Sequence, residues 1–151
     1  MRITKRTNIA VRLLMYCAAN PERLVTKAEI AACCNISENH LAQVINQLGQ
    51  LDFLHTQRGR NGGMTLAVPP EGIRIGTVFR HVEGAPPLAE CFADSDHSCP
   101  LVSACRLKSA LARAAQAFYA ALDEITLAAL VEGNAELLRL MRPTPDPGHA
   151  P

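Results

Sequence analysis

The chain is poor in aromatic residues, with no tryptophan, two tyrosines and four phenylalanines among 151 residues. A β-sandwich core leans on aromatic and β-branched side chains, so their scarcity beside a 48% apolar share rich in Ala and Leu argues for packed helices. Also missing is any apolar run near the ~18 residues of a membrane span. The basic start, Arg2, Lys5 and Arg6, is not followed by a continuous apolar stretch with a small-residue cleavage site. These absences point to a cytoplasmic protein, whose thiols stay reduced and open to metal. The length suits one compact unit with an extension.

Net charge is nearly absent too, at a formal +1. It is unevenly spread. Residues 1–66 carry eight Lys and Arg against four acids, a formal +4, and the remainder carries seven against ten, a formal -3. A basic first part beside an acidic second part suits a nucleic-acid-binding module joined to a regulatory one.

Six cysteines are present, and three of them, Cys91, Cys99 and Cys105, fall in one short acidic stretch with seven and then five residues between them. That spacing is too wide for a zinc ribbon or a redox C-x-x-C pair, and it does not match ferredoxin runs. A polynuclear cofactor accepts it. Three thiolates from one loop leave a fourth position to be filled from elsewhere, which suits a sensor better than a structural staple. Cys17, Cys33 and Cys34 read as small buried apolar residues of helices.

The first part carries a motif. Ile9, Ala10, Leu13, Leu14 and Cys17 recur at helical spacing between about Thr4 and Ala19, and Asn20-Pro21 ends that helix. Thr26 with Glu29 forms a capping box for a short helix to about Ala32, and a tight turn follows at residues 33–36. Ser37 caps a third helix with Leu41, Val44, Ile45 and Leu48 as its buried stripe. Two short helices joined by a small turn form a helix-turn-helix. The stripe leaves Glu38, Asn39, Gln43 and Asn46 on the exposed side, where amides can hydrogen-bond adenine edges.

Residues 53–57 and 64–68 read as two strands around Arg58-Gly59-Arg60-Asn61-Gly62-Gly63. Gly62-Gly63 supplies positive φ, and Arg58 and Arg60 project from the tip to reach a minor groove or phosphate. No helix starts directly after this loop, so a nucleotide-phosphate cradle is not indicated. Helix-turn-helix plus basic hairpin predicts a winged helix. Residues 73–83 then predict a helix with Ile75, Val78, Phe79 and Val82 on one side. Beyond Cys105, Leu107, Leu111, Ala114, Phe118, Ala121 and Ile125 repeat as a heptad seam for dimerisation, which suits palindromic DNA. Thr126 caps a short last helix. The expected fold class is mainly α, a winged helix-turn-helix DNA-binding domain with a cysteine-containing loop and a long C-terminal dimerisation helix. Its parts are 1–83 (DNA binding), 84–105 (cluster loop), 106–141 (dimerisation helix and C-terminal helix) and 142–151 (disordered tail).

The order of these elements, with residues 58–63, 73–83, the three-cysteine loop and residues 105–111, resembles the bacterial iron-sulfur winged-helix regulators of the IscR, RirA and NsrR type, from about Met1 to Met141. Residues 37–49, 104–111 and 122–131 look most like the nitric-oxide-sensing repressor branch. The resemblance implies a cytoplasmic homodimer, not an enzyme, that binds a palindromic operator on double-stranded DNA. It represses while it holds an intact 4Fe-4S or 2Fe-2S cluster on Cys91, Cys99 and Cys105, with nitric oxide as the signal. The implied DNA contacts are Ser37, Glu38, Asn39, His40 and Gln43 on the recognition helix and Arg58, Gly59, Arg60 and Asn61 on the wing. In some relatives an Asp of the other subunit, matching Asn8, is the fourth ligand. An amide oxygen is a poorer iron ligand, which leaves Asp94, Asp96, His97 or a small molecule as alternatives.

Two other readings stay open. The branch that responds to iron itself shares the start of the chain and the cysteine spacing. A zinc site on Cys91, His97, Cys99 and Cys105 would make a constitutive DNA-binding protein. No base and orienting carboxylate stand at a telling spacing from a cysteine, so a thiol enzyme is not indicated.

Overall fold

The structure, a computed structural model, describes residues 3–84, 92, 99–101 and 103–142. Seven α-helices and one two-stranded sheet occur among them: α1 (Lys5–Ala18), α2 (Lys27–Cys34), α3 (Glu38–Gln50), β1 (Leu54–Gln57), β2 (Gly63–Leu66), α4 (Ile75–Glu83), α5 (Arg106–Asp123), α6 (Leu127–Val131) and α7 (Ala135–Leu140). A 3-10 turn, Pro70–Gly72, precedes α4.

Helix α1 begins where Thr4 turns its hydroxyl back to accept from the Thr7 amide at 3.3 Å. It buries Ile9, Ala10, Leu13, Leu14, Tyr16 and Cys17, the apolar stripe read from the sequence extended by Tyr16. Against it lie α3, through Leu41, Val44 and Leu48, and α4, through Ile75, Val78 and Val82. Removing such a Leu or Ile side chain from water contributes roughly 1.5–3 kcal/mol each. The shared stripe therefore dominates the folding of this half. Leu127 and Met141 join the same core, so the end of the chain returns to its beginning.

Local chemistry departs from expectation at four places. Helix α2 runs to Cys34 rather than Ala32, because Asn35 adopts the left-handed conformation (φ 52°) only there. Its capping box is half formed. Thr26 accepts from the Glu29 amide at 3.3 Å, but the Glu29 carboxylate bonds Arg23 at 2.8 Å instead of returning to the cap. Ser37 occupies the N-cap of α3, yet its hydroxyl meets His40 Nδ1 at 2.8 Å and caps no amide. The heptad seam loses its last position: α5 stops at Asp123, and Ile125 lies in the connection to α6.

Candidate nucleic-acid interface and metal centre

Strands β1 and β2 pair antiparallel, Leu54 opposite Leu66 and Gln57 opposite Gly63, leaving residues 58–62 as the tip. The glycine that needs left-handed backbone is Gly59, at φ 111°, not the Gly62-Gly63 pair. Those two are required for closeness instead. A Cβ on Gly62 would collide with the Gln57 carbonyl and stand 2.9 Å from that of Gly59, and one on Gly63 would stand 2.8 Å from the Val25 carbonyl. The Val25 contact is a third strand in miniature. Val25 donates to the Met64 carbonyl at 2.9 Å and accepts from the Met64 amide at 2.8 Å, which fastens the wing to the segment before α2.

All nine residues expected to meet DNA are exposed: Ser37, Glu38, Asn39, His40 and Gln43 on α3, and Arg58, Gly59, Arg60 and Asn61 at the tip. The buried stripe Leu41, Val44 and Leu48 turns Asn39 and Gln43 outward. Glu38 is not a bare acid, because Lys27 of α2 pairs with it at 3.0 Å. Sequence reasoning missed Lys27, and it missed Gln47, whose amide reaches the Val82 carbonyl of α4 at 3.5 Å. No local pattern signals contacts between residues so far apart in the chain.

The cysteine segment is described in part. Cys91, Asp94, Asp96 and His97 lie outside the described residues. Cys99 is exposed and Cys105 half-buried, both as free thiols. Cys105 is the N-cap residue of α5 and its side chain makes no capping hydrogen bond. The residue therefore stands at the N-terminal end of an 18-residue helix, with Arg106 and Lys108 in the first turn that follows it. This donor chemistry fits an anionic thiolate-ligated group. Asn8 sits exposed in the first turn of α1, in a shallow concavity with Ile3, Thr4 and Lys5. Among the described residues no three metal-binding side chains converge.

The other cysteines divide differently from expectation. Burial pushes the Cys17 thiol up to about 12, which makes it an inert core side chain. Cys34 is half-buried, and burial followed by the neighbouring Cys33 pushes it up to about 11. Cys33 is exposed rather than buried, and its thiol donates to the Leu140 carbonyl at 3.3 Å. The last turn of α2 faces the end of α7, which the sequence reading did not separate from a single C-terminal helix.

Known proteins share this arrangement. The family model for Rrf2, an iron-dependent transcriptional regulator, matches residues 3–133. The HTH-type transcriptional regulator NsrR of Geobacillus kaustophilus (strain HTA426) is 43% identical over 143 residues, covering 94% of this chain and 97% of the relative. Among solved structures, T. potens IscR superposes with a TM-score of 0.69 at 25% identity and covers 90% of each chain. The oxidized form of Staphylococcus aureus CymR also gives 0.69, at 27% identity, over 87% of this chain and 97% of that one. Exposed recognition helix, anchored basic wing and matching relatives agree on a transcriptional regulator rather than an enzyme, and the chain belongs to the Rrf2 family of iron-dependent transcriptional regulators.

Proposed function

We propose that this chain is a cytoplasmic homodimeric repressor that binds a palindromic operator and releases it when an iron-sulfur cluster on Cys91, Cys99 and Cys105 is attacked by nitric oxide. In this reading residues 1–83 bind DNA, 84–105 hold the cluster, 106–141 dimerise and 142–151 form a tail. The observation that carries it is Cys105 at the N-cap of α5, where a ligand thiolate is joined directly to the helix that packs on α4. The cluster, 4Fe-4S or 2Fe-2S, would supply iron to which a diatomic gas binds. With a neutral amide at Asn8, the fourth position is weakly held and so accessible.

The chain's own residues supply the relay. Segment 84–105 leaves the end of α4 and returns at the start of α5. The two helices are joined by Phe79 against Phe118, ring centroids 6.2 Å apart, and by the Arg80–Asp123 ion pair. Helix α4 packs on α1 and holds Gln47 of α3 through the Val82 carbonyl. Glu83, the last residue of α4, accepts from the Thr4 amide at 2.7 Å and so ties the start of α1 to the start of the cysteine segment. A shift in that segment would reach the recognition helix through these contacts.

The test is anaerobic purification with iron and sulfide counted per chain, followed by separate titrations of the operator complex with nitric oxide and with an iron chelator. Release by nitric oxide is expected. Release by chelator alone would replace this reading with an iron-responsive one. Colourless protein carrying zinc would replace it with the Cys91, His97, Cys99 and Cys105 zinc site. Cys99→Ala should lose visible absorbance and iron, while Cys17→Ala keeps both.

A further inference from the structure

Four carboxamides, Asn39, Gln43, Asn46 and Gln50, stand at intervals of four, three and four on α3, and all four are exposed. They form one stripe down the helix, opposite Leu41, Val44 and Leu48. Asn39 and Gln43 stand at the N-terminal, base-reading end, whereas Asn46, grouped with them in the sequence, stands lower on the helix with Gln50. The lower two open into a groove between α3 and β1, whose other wall carries His55, Thr56 and Arg58, with Asp52 in the turn that joins the two elements. The burial along β1 explains that wall. Leu54 at its start is buried, and His55, Thr56 and Gln57 beyond it are left in solvent.

We infer that the groove between α3 and β1 is the seat of the sugar-phosphate strand that separates the two DNA grooves, held by Asn46, Gln50, Thr56, His55 and Arg58. The inference rests on the DNA-binding reading and deepens it. If α3 lies in a major groove and the wing tip in the neighbouring minor groove, the backbone between those grooves must pass between α3 and the wing, because nothing else separates them. The lining has the chemistry for that passenger. Phosphodiester oxygens only accept hydrogen bonds, and every one of these five side chains can donate, two through amide nitrogens, one through a hydroxyl, one through an imidazole and one through a guanidinium. The one carboxylate, Asp52, stands at the end remote from the tip, where it repels phosphate. This gives the groove a direction, from an acidic closed end to the basic end at Arg58. Asn46 and Gln50 thereby part company with Asn39 and Gln43: one helical stripe divides into a half that reads bases and a half that fixes register.

The experiment uses the full-length protein, purified anaerobically, and a duplex of about 30 base pairs that it retains from a random-sequence pool. Gln50→Ala and Asn46→Ala should each weaken binding about three- to tenfold, by the same factor on the selected duplex and on single-base variants of it. Their salt dependence should be unchanged, because no charge is lost. Replacing single phosphates with neutral methylphosphonates at the boundary between the two grooves should weaken the wild type, and should weaken Gln50→Ala less. Circular dichroism shows that the variants fold. If Gln50→Ala and Asn46→Ala bind as the wild type does, the groove holds no strand. If they change which bases are preferred, the lower half reads sequence, and the assignment is again overturned. Either result leaves the DNA-binding reading standing, provided Arg60→Ala still loses affinity. Failure to retain any duplex would overturn both.

Discussion

Helices α1 and α5 are built from similar material and meet opposite fates. Helix α1 buries seven of its 14 residues, and α5, with 18, buries none. Both carry apolar residues at three- and four-residue spacing. What differs is the partner. Helix α1 is surrounded by α3, α4 and α6, whereas α5 packs chiefly on α4 among the described residues and leaves Leu107 at 65% of its full exposure. Periodicity reports which face is apolar and is silent on what covers it. On the proposed reading, the second copy of the chain covers α5.

The sharpest test of that contrast is a pair of leucine truncations. Leu13→Ala, at a position with no exposure, should cost about 2–5 kcal/mol in denaturant unfolding. Leu107→Ala should change the unfolding of dilute, dissociated protein by less than about 0.5 kcal/mol and shift only the concentration at which dimers form. Equal losses in dilute protein would erase the distinction.

A smaller effect is expected where the two regions touch. A Cβ on Gly76 of α4 would run into the Asp123 carboxylate and stand 2.9 Å from the Tyr119 carbonyl. Gly76→Ala should cost about 1–3 kcal/mol by prising α5 from α4. Calorimetry gives the loss, and quenching of the Tyr119 fluorescence environment reports whether α5 has moved.

Capping compares the regions on equal terms. Thr26 accepts from Glu29 in the first half, and Thr126 accepts from Ala129 at 3.1 Å where the chain re-enters the core. Alanine at either should cost about 1 kcal/mol. A much larger loss at Thr126 would mean that re-entry, not the cap, governs that site.

The smallest effect belongs to the exposed Arg80–Asp123 pair. The hydrogen bonds from Arg80 hold the Asp123 carboxyl below its ordinary range. A carboxyl whose folded value is depressed contributes stability above its unfolded value, and that contribution disappears as pH falls through the depressed one. Melting curves of the wild type and Asp123→Asn should therefore differ slightly near neutrality and converge in acid. A pH-independent gap would assign the effect to packing.

Much of this architecture could be read from residues alone, because its signals are local. The stripe of α1, the Thr26 cap, the Leu41–Leu48 stripe and the turn-rich wing each fall within a dozen residues. What escaped was non-local or too short. Helix α7 has only six residues and rests on one cap, Asn134 accepting from the Leu137 amide at 3.0 Å, and on Met141 reaching the core. The exposure of Cys33 could not be foreseen without it. The role of Gly63 depends on Val25, which lies 38 positions earlier, and the side chain of Ser37 was drawn off by His40. Of the candidate site, exposure of the recognition helix and wing was legible, whereas the division of the α3 stripe depends on where β1 runs.

Two backbone hydrogen bonds have a broader consequence. The Ile75 amide donates to the Ile125 carbonyl at 2.9 Å, and the Leu127 amide donates to the Ile73 carbonyl at 2.8 Å, so the chain before α4 and the chain after α5 are stitched side by side. The start of α4 and the end of α5 are therefore clasped independently of whatever joins their far ends. Because α4 is itself part of the core, the stretch whose length and chemistry can vary at little cost to the body is the connection between α4 and α5, since the entropy of closing it grows only slowly with its length.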